Sequence, residues 1–171
     1  MSKSTPSRPP IAKAKRTFYI VASRFNAQYV DGLVDHVVEE LRALAPDGMI
    51  LIHRVPGSFE IPVIAREVAI QNKASAIVAC GVILQGETDH AQNLSRSITN
   101  ALQHIAIERG VPVINAVLSF DNEEQARARC LKNKINRGTE AARAAVEIAN
   151  VLSEVRSKQR AAVSKPPRDN G

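Results

Sequence analysis

The hydrophobic positions of the chain fall into two kinds of segment that alternate. Four segments of nearly continuous apolar, often β-branched residues predict β-strands, at residues 17–23, 49–55, 76–84 and 111–118. Continuous apolar runs are typical of strands that are covered on both faces in a parallel sheet. Between these runs, apolar residues recur every three or four positions, which predicts amphipathic helices.

The first predicted helix follows the first strand, and its charged residues lie off the apolar stripe. That stripe consists of Val30, Leu33, Val34, Val37, Leu41 and Leu44. A shorter helix is predicted over residues 61–72. A third ends at Gly110, where glycine permits the left-handed conformation that terminates helices. The apolar stripe of this third helix is Leu94, Ile98, Leu102 and Ile105.

Two further helices are predicted in the last third of the chain. A short one follows Asp121, with Glu124 three residues later as in a capping box. A long one places its apolar residues at Ala145, Ile148, Leu152 and Val155. The alternation of strands and helices predicts an α/β domain with right-handed crossovers and helices on both sides of a parallel sheet.

Ligands of such folds bind at the carboxyl ends of the strands. Four polar stretches follow the predicted strands, at residues 23–26, 56–62, 85–90 and 119–122, the last leading into Arg129. We expect all four to meet at one rim of the sheet. The residues at this rim are therefore the candidates for ligand binding or catalysis.

The charge of the chain sits mainly at its ends. The formal net charge is +6, but residues 1–16 contribute +5 and residues 153–171 contribute +3, which leaves −2 for the body. A nucleic-acid-binding domain is expected to have a basic face on its folded part, so this class is disfavoured. Residues 1–16 and 157–171 are rich in polar residues and proline, and both are predicted to be disordered basic tails.

The two cysteines, Cys80 and Cys130, have no C-x-x-C spacing and predict neither a disulfide framework nor a zinc site. No stretch resembles a signal peptide or is long enough for a membrane span. The sequence therefore predicts a cytoplasmic protein of one ordinary domain, within its 171 residues.

The stretch QGETDH, residues 85–90, has an unusual composition. Gly81, Gly86 and Thr88 have the spacing of a phosphate-binding loop, but Glu87 stands where that loop has its lysine. The exposed amides at the start of the following helix can nevertheless hold one phosphate if a cation comes from elsewhere. The alternative is an ordinary helix cap with no ligand.

His90 is predicted in the first turn of that helix, where the positive end of the helix dipole favours a neutral ring that can transfer protons. A purely structural histidine is the alternative. His104 lies nearly four turns further along, too far to share a metal with His90. His36 and His53 have no partner in spacing either, so no metal site is predicted.

Three other features suggest a ligand. In PGSFEIP, residues 56–62, Glu60 is able to accept hydrogen bonds from the hydroxyl groups of a polyol; alternatively, Phe59 is core and Glu60 caps the helix. Phe25 can stack on a flat ring or simply pack. The cationic segment 127–137 is either a solvated face or the source of an arginine for a phosphate.

Five stretches of the chain occur in a characteristic order, namely RFN, VPGSFEIP, GVILQGETDH, PVINAVL and NRGTEAARAAVEIANV. Together they resemble the 6,7-dimethyl-8-ribityllumazine synthase family, which acts in riboflavin synthesis. The resemblance spans residues 17–152. It implies a three-layer α/β/α sandwich with a four-stranded parallel sheet of flavodoxin-like topology, in a domain placed at residues 17–156.

The resemblance also implies a cofactor-free condensation of 5-amino-6-ribitylaminouracil with 3,4-dihydroxy-2-butanone 4-phosphate, with release of phosphate and water. It implies that Phe25 stacks on the pyrimidine and that His90 transfers protons. The ribityl chain would contact Ser58, Phe59 and Glu60, and the pyrimidine edge would contact the backbone of Val82, Ile83 and Leu84. The phosphate would contact Gly86, Glu87, Thr88 and an Arg129 from a neighbouring subunit.

The sequence departs from the family pattern at four positions. Asn115 replaces an aromatic residue that would belong to the substrate pocket, Gln85 and Asn133 replace cations, and Ala91 replaces an aromatic residue. A retuned but active site is expected. The alternatives are a non-catalytic, shell-forming or flavin-binding homologue, and a phosphate- or nucleotide-binding regulatory domain. The resemblance implies a homo-oligomer built from pentamers, with decamers or sixty-subunit shells possible.

Overall fold

The computed structural model describes residues 6–12, 15–86 and 89–163. The strands in this part of the chain are β1 (Thr17–Ser23), β2 (Met49–Val55), β3 (Ala76–Leu84) and β4 (Val113–Phe120). The helices are α1 (Ala27–Leu44), α2 (Ile61–Ile70), α3 (His90–Arg109), α4 (Glu123–Cys130) and α5 (Arg137–Val163). The four predicted strands and five predicted helices are confirmed. β4 begins after Pro112, whose nitrogen has no hydrogen to donate to a strand ladder.

The strands form one parallel sheet in the order β2-β1-β3-β4. Ile20 of β1 lies between Ile52 of β2 and Val78 of β3, which fixes the register of the first three strands. Alternate residues of β1 face different helices: Phe18 and Ile20 pack with α1 and α5, and their neighbours pack with α2 and α3. The structure is therefore the predicted three-layer α/β/α sandwich.

The burial of the strands explains their sequences. Every residue of β3 except Leu84 is buried, because β3 has a strand on each side and helices on both faces. Its composition is accordingly apolar throughout. β2 lies at the edge of the sheet, and most of its residues are partly or fully exposed. The sheet thus positions the carboxyl ends of β1 and β3 at its centre.

The apolar stripe predicted for α5 is wrong in its main members. Ile148 is 39% exposed and Val155 is 46% exposed. α5 instead buries small residues against α1, because the two helices lie so close that a side chain on Gly138 would collide with the carbonyl oxygen of Leu33. The buried residues are Gly138, Ala141, Ala142, Ala145, Val146 and Ala149. By contrast, all six residues predicted for the stripe of α1 are buried.

The predicted cap of α4 also needs correction. The N-cap is Asn122 and not Asp121, and its side chain accepts a hydrogen bond of 3.0 Å from the Gln125 amide. Glu124 takes no part in this cap. α3 ends as predicted at Gly110, which has a φ of 61°. α2 ends at Ile70, two residues before the predicted end, and Asn72 beyond it has a φ of 50°.

Part of the segment predicted to be a disordered N-terminal tail packs against the domain. The amide of Ala12 donates a 2.8 Å hydrogen bond to the carbonyl of Leu44, and Arg8 pairs with Glu40. The reason is the charge of Glu40, a nearly buried carboxylate that needs cationic partners. At the other end, α5 continues to Val163, past the predicted boundary at 156. Residues 1–5, 13–14 and 164–171 lie outside the described part.

None of the helices in the described ranges has the length and apolarity needed to cross a bilayer. Cys80 and Cys130 are both buried and form no disulfide. Burial raises the pKa of each thiol to about 12, so both are protonated at neutral pH. They are chemically inert core residues.

Candidate active site

A cavity of about 840 Å³ opens at the carboxyl ends of β1 and β3. It includes most of the residues that the sequence analysis predicted for a ligand site, drawn from the three loops that follow β1, β2 and β3. The predicted residues that line it are Phe25, Ser58, Phe59, Val82, Ile83, Leu84, Gly86 and His90. Three of the four polar stretches predicted to meet at one rim thus contribute to this cavity, whereas the fourth, residues 119–122, lines a separate surface depression.

The loop after β1 holds Phe25 at the mouth of the cavity. The Phe25 amide donates a 3.1 Å hydrogen bond to the carbonyl of Pro56, which ties the loop to the end of β2. Asn26 has a φ of 56°, and its side-chain amide donates a 2.8 Å hydrogen bond to the carbonyl of Val82 on β3. With the backbone anchored on both sides, the Phe25 ring stands in the open and is 72% exposed.

Asn26 is a lining residue that the sequence analysis did not single out. A signal for it was present, because asparagine tolerates the left-handed conformation better than other residues with a side chain. An asparagine directly after a predicted strand therefore indicates a sharp turn. Its conformation directs the chain from β1 into α1.

The loop after β2 forms a short 3-10 turn, Ser58–Glu60, which precedes α2. Ser58 is buried in the cavity wall, where Gly81 of β3 leaves room for it; a Cβ on Gly81 would lie 2.6 Å from the Ser58 hydroxyl oxygen. Phe59 is 65% exposed, so the interpretation of Phe59 as a core residue is wrong.

Glu60 behaves as the alternative interpretation proposed. Its carboxylate accepts a 2.8 Å hydrogen bond from the amide of Gly57, and it does not line the cavity. This contact is half of a capping box. The other half is missing because Gly57 has no side chain that could accept a hydrogen bond from the Glu60 amide. In this conformation Glu60 holds the turn that carries Ser58 and Phe59.

The first turns of α3 form the remaining wall. His90 is the first residue of this helix, its side chain is exposed, and it faces the cavity. Asn93, Leu94 and Ser97 line the same wall. Residues three, four and seven positions apart share one face of a helix, so His90 alone was sufficient to predict them from the sequence.

The stretch QGETDH, which was predicted to bind phosphate, lies only partly within the described residues. Gly86 lines the cavity, and a Cβ placed on it meets no described atom within 4 Å, so the backbone is open to a ligand there. Glu87 and Thr88 lie outside the described residues. Among the residues that are described, His90 is the one ionisable group in the cavity lining. The walls otherwise combine apolar side chains with neutral hydrogen-bonding groups.

Besides Glu60, two other predicted site residues do not line this cavity. Asn115 lies on β4, where its side chain donates a 3.0 Å hydrogen bond to the Thr99 hydroxyl and accepts one from the Val117 amide. Arg129 lies on α4 beside a separate surface depression that Phe120 and Asp121 also line. Within a single chain, neither side chain contributes to the 840 Å³ cavity.

Of the other positions that depart from the family pattern, Ala91 lies in the cavity wall. Asn133 does not line it, and its side-chain oxygen is 2.9 Å from Nε2 of His36 on α1. Within residues 6–12, 15–86 and 89–163, no group of three or more His, Cys, Asp or Glu side chains is placed to hold a metal ion.

The sequence is similar to known proteins over most of its length. The family model described as 6,7-dimethyl-8-ribityllumazine synthase matches residues 15–153. A protein of that name from Paraburkholderia phymatum is 41% identical over 133 residues, which cover 77% of this chain and 75% of the relative. Its namesake from Xanthomonas oryzae is 37% identical over 147 residues, covering 85% of this chain and 92% of the relative.

A third relative with the same name, from Nitrosospira multiformis, is 36% identical over 133 residues, or 77% of this chain and 81% of its own. The matched region contains all five helices up to residue 153 and the whole sheet. The match thus includes every loop that lines the cavity. The chain belongs to the 6,7-dimethyl-8-ribityllumazine synthase family.

Proposed function

We propose that the chain condenses 5-amino-6-ribitylaminouracil with 3,4-dihydroxy-2-butanone 4-phosphate to form 6,7-dimethyl-8-ribityllumazine, phosphate and water. The observation that carries the proposal is the convergence of Phe25, Ser58, the end of β3 and His90 on one cavity, in a chain of this family. The volume of about 840 Å³ lies within the range of roughly 300–1,000 Å³ that small-molecule sites occupy.

The pyrimidine substrate fits the half of the cavity between the loop after β1 and the end of β3. Phe25 offers an exposed aromatic face for stacking on the ring. The strand backbone at Val82, Ile83 and Leu84 borders the cavity and can hydrogen-bond to the edge of the pyrimidine. The ribityl chain then lies along Ser58 and Phe59, with Glu60 within the same turn.

The phosphate of the second substrate is assigned to the stretch from Gly86 to Thr88 at the start of α3. The amides at the start of a helix attract an anion without a lysine, and Gly86 leaves the approach open. We place the Glu87 side chain away from the phosphate, because two like charges in contact would weaken binding. This phosphate leaves during the reaction.

His90 is assigned the proton transfers. The primary amine attacks the ketone of the second substrate, which forms an imine and expels water. In a further step, a proton is removed from carbon as phosphate is eliminated. Both steps need a group that accepts and returns protons near neutral pH, which is the usual role of histidine. The ring of His90 stands in the cavity beside the proposed phosphate site.

The site is proposed to lie between subunits of a homo-oligomer built from pentamers. Arg129 and Asn115 do not line the cavity of their own chain. We therefore assign them to the cavity of a neighbouring subunit. Large apolar side chains stay exposed on α2 and α3, as expected for a surface covered in an assembly. They are Val63, Ile70 and Ile107. We place the enzyme in the cytoplasm, with its two reduced thiols.

The test of the reaction is product formation. The purified protein is incubated with both substrates, and the fluorescence of the lumazine is followed against the uncatalysed rate. The His90→Ala variant is expected to lose about 10²-fold in kcat, the lower end of the range for general acid-base catalysis. His104→Ala is the matched control, because His104 lies on the same helix and pairs with Glu108 on an exposed face. A non-catalytic homologue would give no fluorescence above background.

The shared site is tested by mixing inactive chains. His90→Ala and Arg129→Ala chains are unfolded together and reassembled. If each site takes His90 from one chain and Arg129 from the next, about one site in four is complete by random mixing. Recovery of roughly a quarter of the wild-type rate supports a site between subunits. No recovery, in assemblies of the wild-type size, contradicts it.

A further inference from the structure

A second cavity lies at the opposite edge of the sheet from the candidate active site. It has a volume of about 270 Å³ and opens between the amino ends of β1 and β3 and the last turns of α5. We call it the distal cavity. Its lining residues are Arg16, Ala74, Ser75, Ala149, Leu152, Ser153, Arg156, Ser157 and Arg160. Because the strands are parallel, their amino ends point away from the 840 Å³ cavity.

Among the described residues, the lining of the distal cavity carries three guanidinium groups and no carboxylate. Arg16 is the innermost of the three. One of its terminal nitrogens donates a 3.0 Å hydrogen bond to the side-chain oxygen of Asn150, a neutral partner. Its Nε is buried and has no hydrogen-bond partner among the described residues. Buried donors are normally satisfied, so this Nε is an exception; because it is inaccessible, only the terminal nitrogens of Arg16 can contact a ligand in the cavity.

The other two arginines lie one helical turn apart on α5. Arg156 is fixed in place, because it donates a 2.7 Å hydrogen bond to the carbonyl of Gly110 at the end of α3. Arg160 forms no ion pair within the described residues and faces the same cavity. Like charges at positions i and i+4 repel each other unless an anion lies between them. On a different face of α5, Lys158 is paired with Glu154 in the ordinary way.

Serine hydroxyl groups complete the lining. Ser75 accepts a 3.1 Å hydrogen bond from the Thr17 amide, which leaves the hydroxyl hydrogen of Ser75 free to donate. Ser157 donates its hydroxyl hydrogen to the carbonyl of Ser153 in its own helix. The distal cavity thus presents guanidinium and hydroxyl donors from two sides, and its acceptors are few.

We propose that the distal cavity binds a phosphate group, either inorganic phosphate or the head of a small phosphate monoester. Several N–H and O–H donors that approach from different directions suit the tetrahedral oxygens of phosphate, and arginine pairs with them through two hydrogen bonds at once. The volume of about 270 Å³ lies just below the usual range for small-molecule pockets, which excludes a dinucleotide. This site is separate from the phosphate position proposed beside His90.

Phosphate binding to the full-length, assembled protein tests the proposal. Inorganic phosphate and glycerol 3-phosphate are titrated by calorimetry at constant ionic strength in wild type, Arg129→Gln and Arg160→Gln. Wild type is expected to show two classes of site per chain. Arg129→Gln should weaken the class that belongs to the proposed active site. Arg160→Gln should weaken the other class at least fivefold and leave the rate of lumazine formation unchanged. The probe that binds the distal cavity with the higher affinity identifies whether the cavity takes inorganic phosphate or a phosphate monoester.

Lys158→Gln is the matched control, because it removes one positive charge two residues away on the same helix but not from the cavity lining. Arg16→Gln is the second variant, and it should abolish the distal class. A wild-type protein with no class of site that Arg160→Gln weakens overturns the proposal, as does an equal loss in Arg160→Gln and Lys158→Gln. A short DNA duplex that binds in an Arg160-dependent way, in place of both phosphate probes, would also overturn it.

Discussion

Arg143 donates a hydrogen bond of 2.7 Å from its Nε to Oε1 of Glu40, a carboxylate that is 6% exposed. The second oxygen of Glu40 accepts a 2.8 Å bond from Arg8. One acidic side chain on α1 therefore connects α5 and the segment at residues 6–12. Arg143 also donates to the carbonyl of Pro6, which closes the contact.

Replacement of Glu40 by glutamine is expected to reduce the free energy of unfolding by about 1–3 kcal/mol, because the partly buried guanidinium of Arg143 and the more exposed one of Arg8 lose a nearly buried charged acceptor. Urea unfolding at one fixed protein concentration measures it. Glu39→Gln is the control, since Glu39 is the exposed neighbour on the same helix. An equal loss in the two variants would attribute the effect to net charge and not to the Glu40 contacts.

The same contacts predict a pH dependence. Burial alone would raise the pKa of Glu40, but hydrogen bonds and charge from Arg8 and Arg143 outweigh burial and hold this pKa below its ordinary value of 4.5. A group whose pKa is lower in the folded state stabilises that state fully above its unfolded pKa and loses this contribution as pH falls through the folded pKa. The stability difference between wild type and Glu40→Gln should therefore be constant from pH 7 to about 5 and shrink below pH 4.5. A difference that stays constant down to pH 3 contradicts the assigned pairing.

The contrast between α1 and α5 shows how much of the fold the sequence could predict. The stripe of α1 consists of large side chains at helical spacing, and large apolar residues are almost always turned to the core. α5 packs closely against α1, so its core face is made mainly of alanine and Gly138, with Val146 as the one larger buried residue in its described length. Small residues carry little hydrophobic signal, and the larger Ile148 and Val155 gave a misleading pattern on the exposed face.

Gly81→Ala should displace Ser58, which forms part of the cavity wall. The added methyl group would lie 2.6 Å from the Ser58 hydroxyl oxygen and 3.2 Å from Val117, so Ser58 must move. Overpacking of this kind costs about 1–3 kcal/mol of stability. We also expect a higher KM for the ribityl-bearing substrate, since Ser58 lines the cavity.

A double variant separates the clash from other effects. Ser58→Ala removes the hydroxyl oxygen that the new methyl group meets, so adding it to Gly81→Ala should restore most of the lost stability, while the KM stays high. Thermal unfolding of the two single variants and the double variant gives the coupling energy. Strict additivity of the two changes would exclude contact between the two side chains as the cause.

Phe25→Ala tests the proposed stacking. Stacking of a base on an aromatic side chain is worth about 1–3 kcal/mol, so kcat/KM for the pyrimidine substrate should fall roughly tenfold or more. Stability should change little, because the ring is largely exposed. Phe25→Tyr should retain the activity and Phe25→Leu should not, since leucine has no flat ring. Wild-type kinetics in Phe25→Leu would show that apolar contact alone is sufficient.

The candidate site was predictable where it depends on topology within one chain. Phe25, Ser58 and His90 follow different strands, and parallel strands bring their carboxyl ends to one rim. The conformation of Glu60 was not decided by the sequence, since a carboxylate before a helix can cap a turn or face a ligand. Arg129 and Asn115 were assigned to the site only through the family resemblance, because no pattern within one chain specifies side chains that another subunit would contribute; their place in the site stays a prediction.

Asn122→Ala tests whether the folded α4 helix positions Arg129 for its proposed contact with phosphate. The Asn122 side chain accepts the amide of Gln125 and caps the helix, whose last turn carries Arg129. Loss of such a cap costs about 0.5–2 kcal/mol, which is large for a helix of eight residues, although the hydrogen bonds of Glu123 with Tyr29 and of Gln125 with Asp121 remain. Amide hydrogen exchange should therefore accelerate along α4 more than along α1 or α5.

The kinetic consequence of this variant distinguishes the proposed roles. If Arg129 binds the phosphate of the butanone substrate, fraying of α4 should raise the KM for that substrate several-fold and leave the KM for the pyrimidine nearly unchanged. Asp121→Ala is the control: Asp121 accepts a bond from the exposed Gln125 side chain but does not cap the helix, so little change is expected. Equal increases in both KM values for Asn122→Ala would mean that α4 supports the whole subunit contact, and that Arg129 is not a specific ligand of the phosphate.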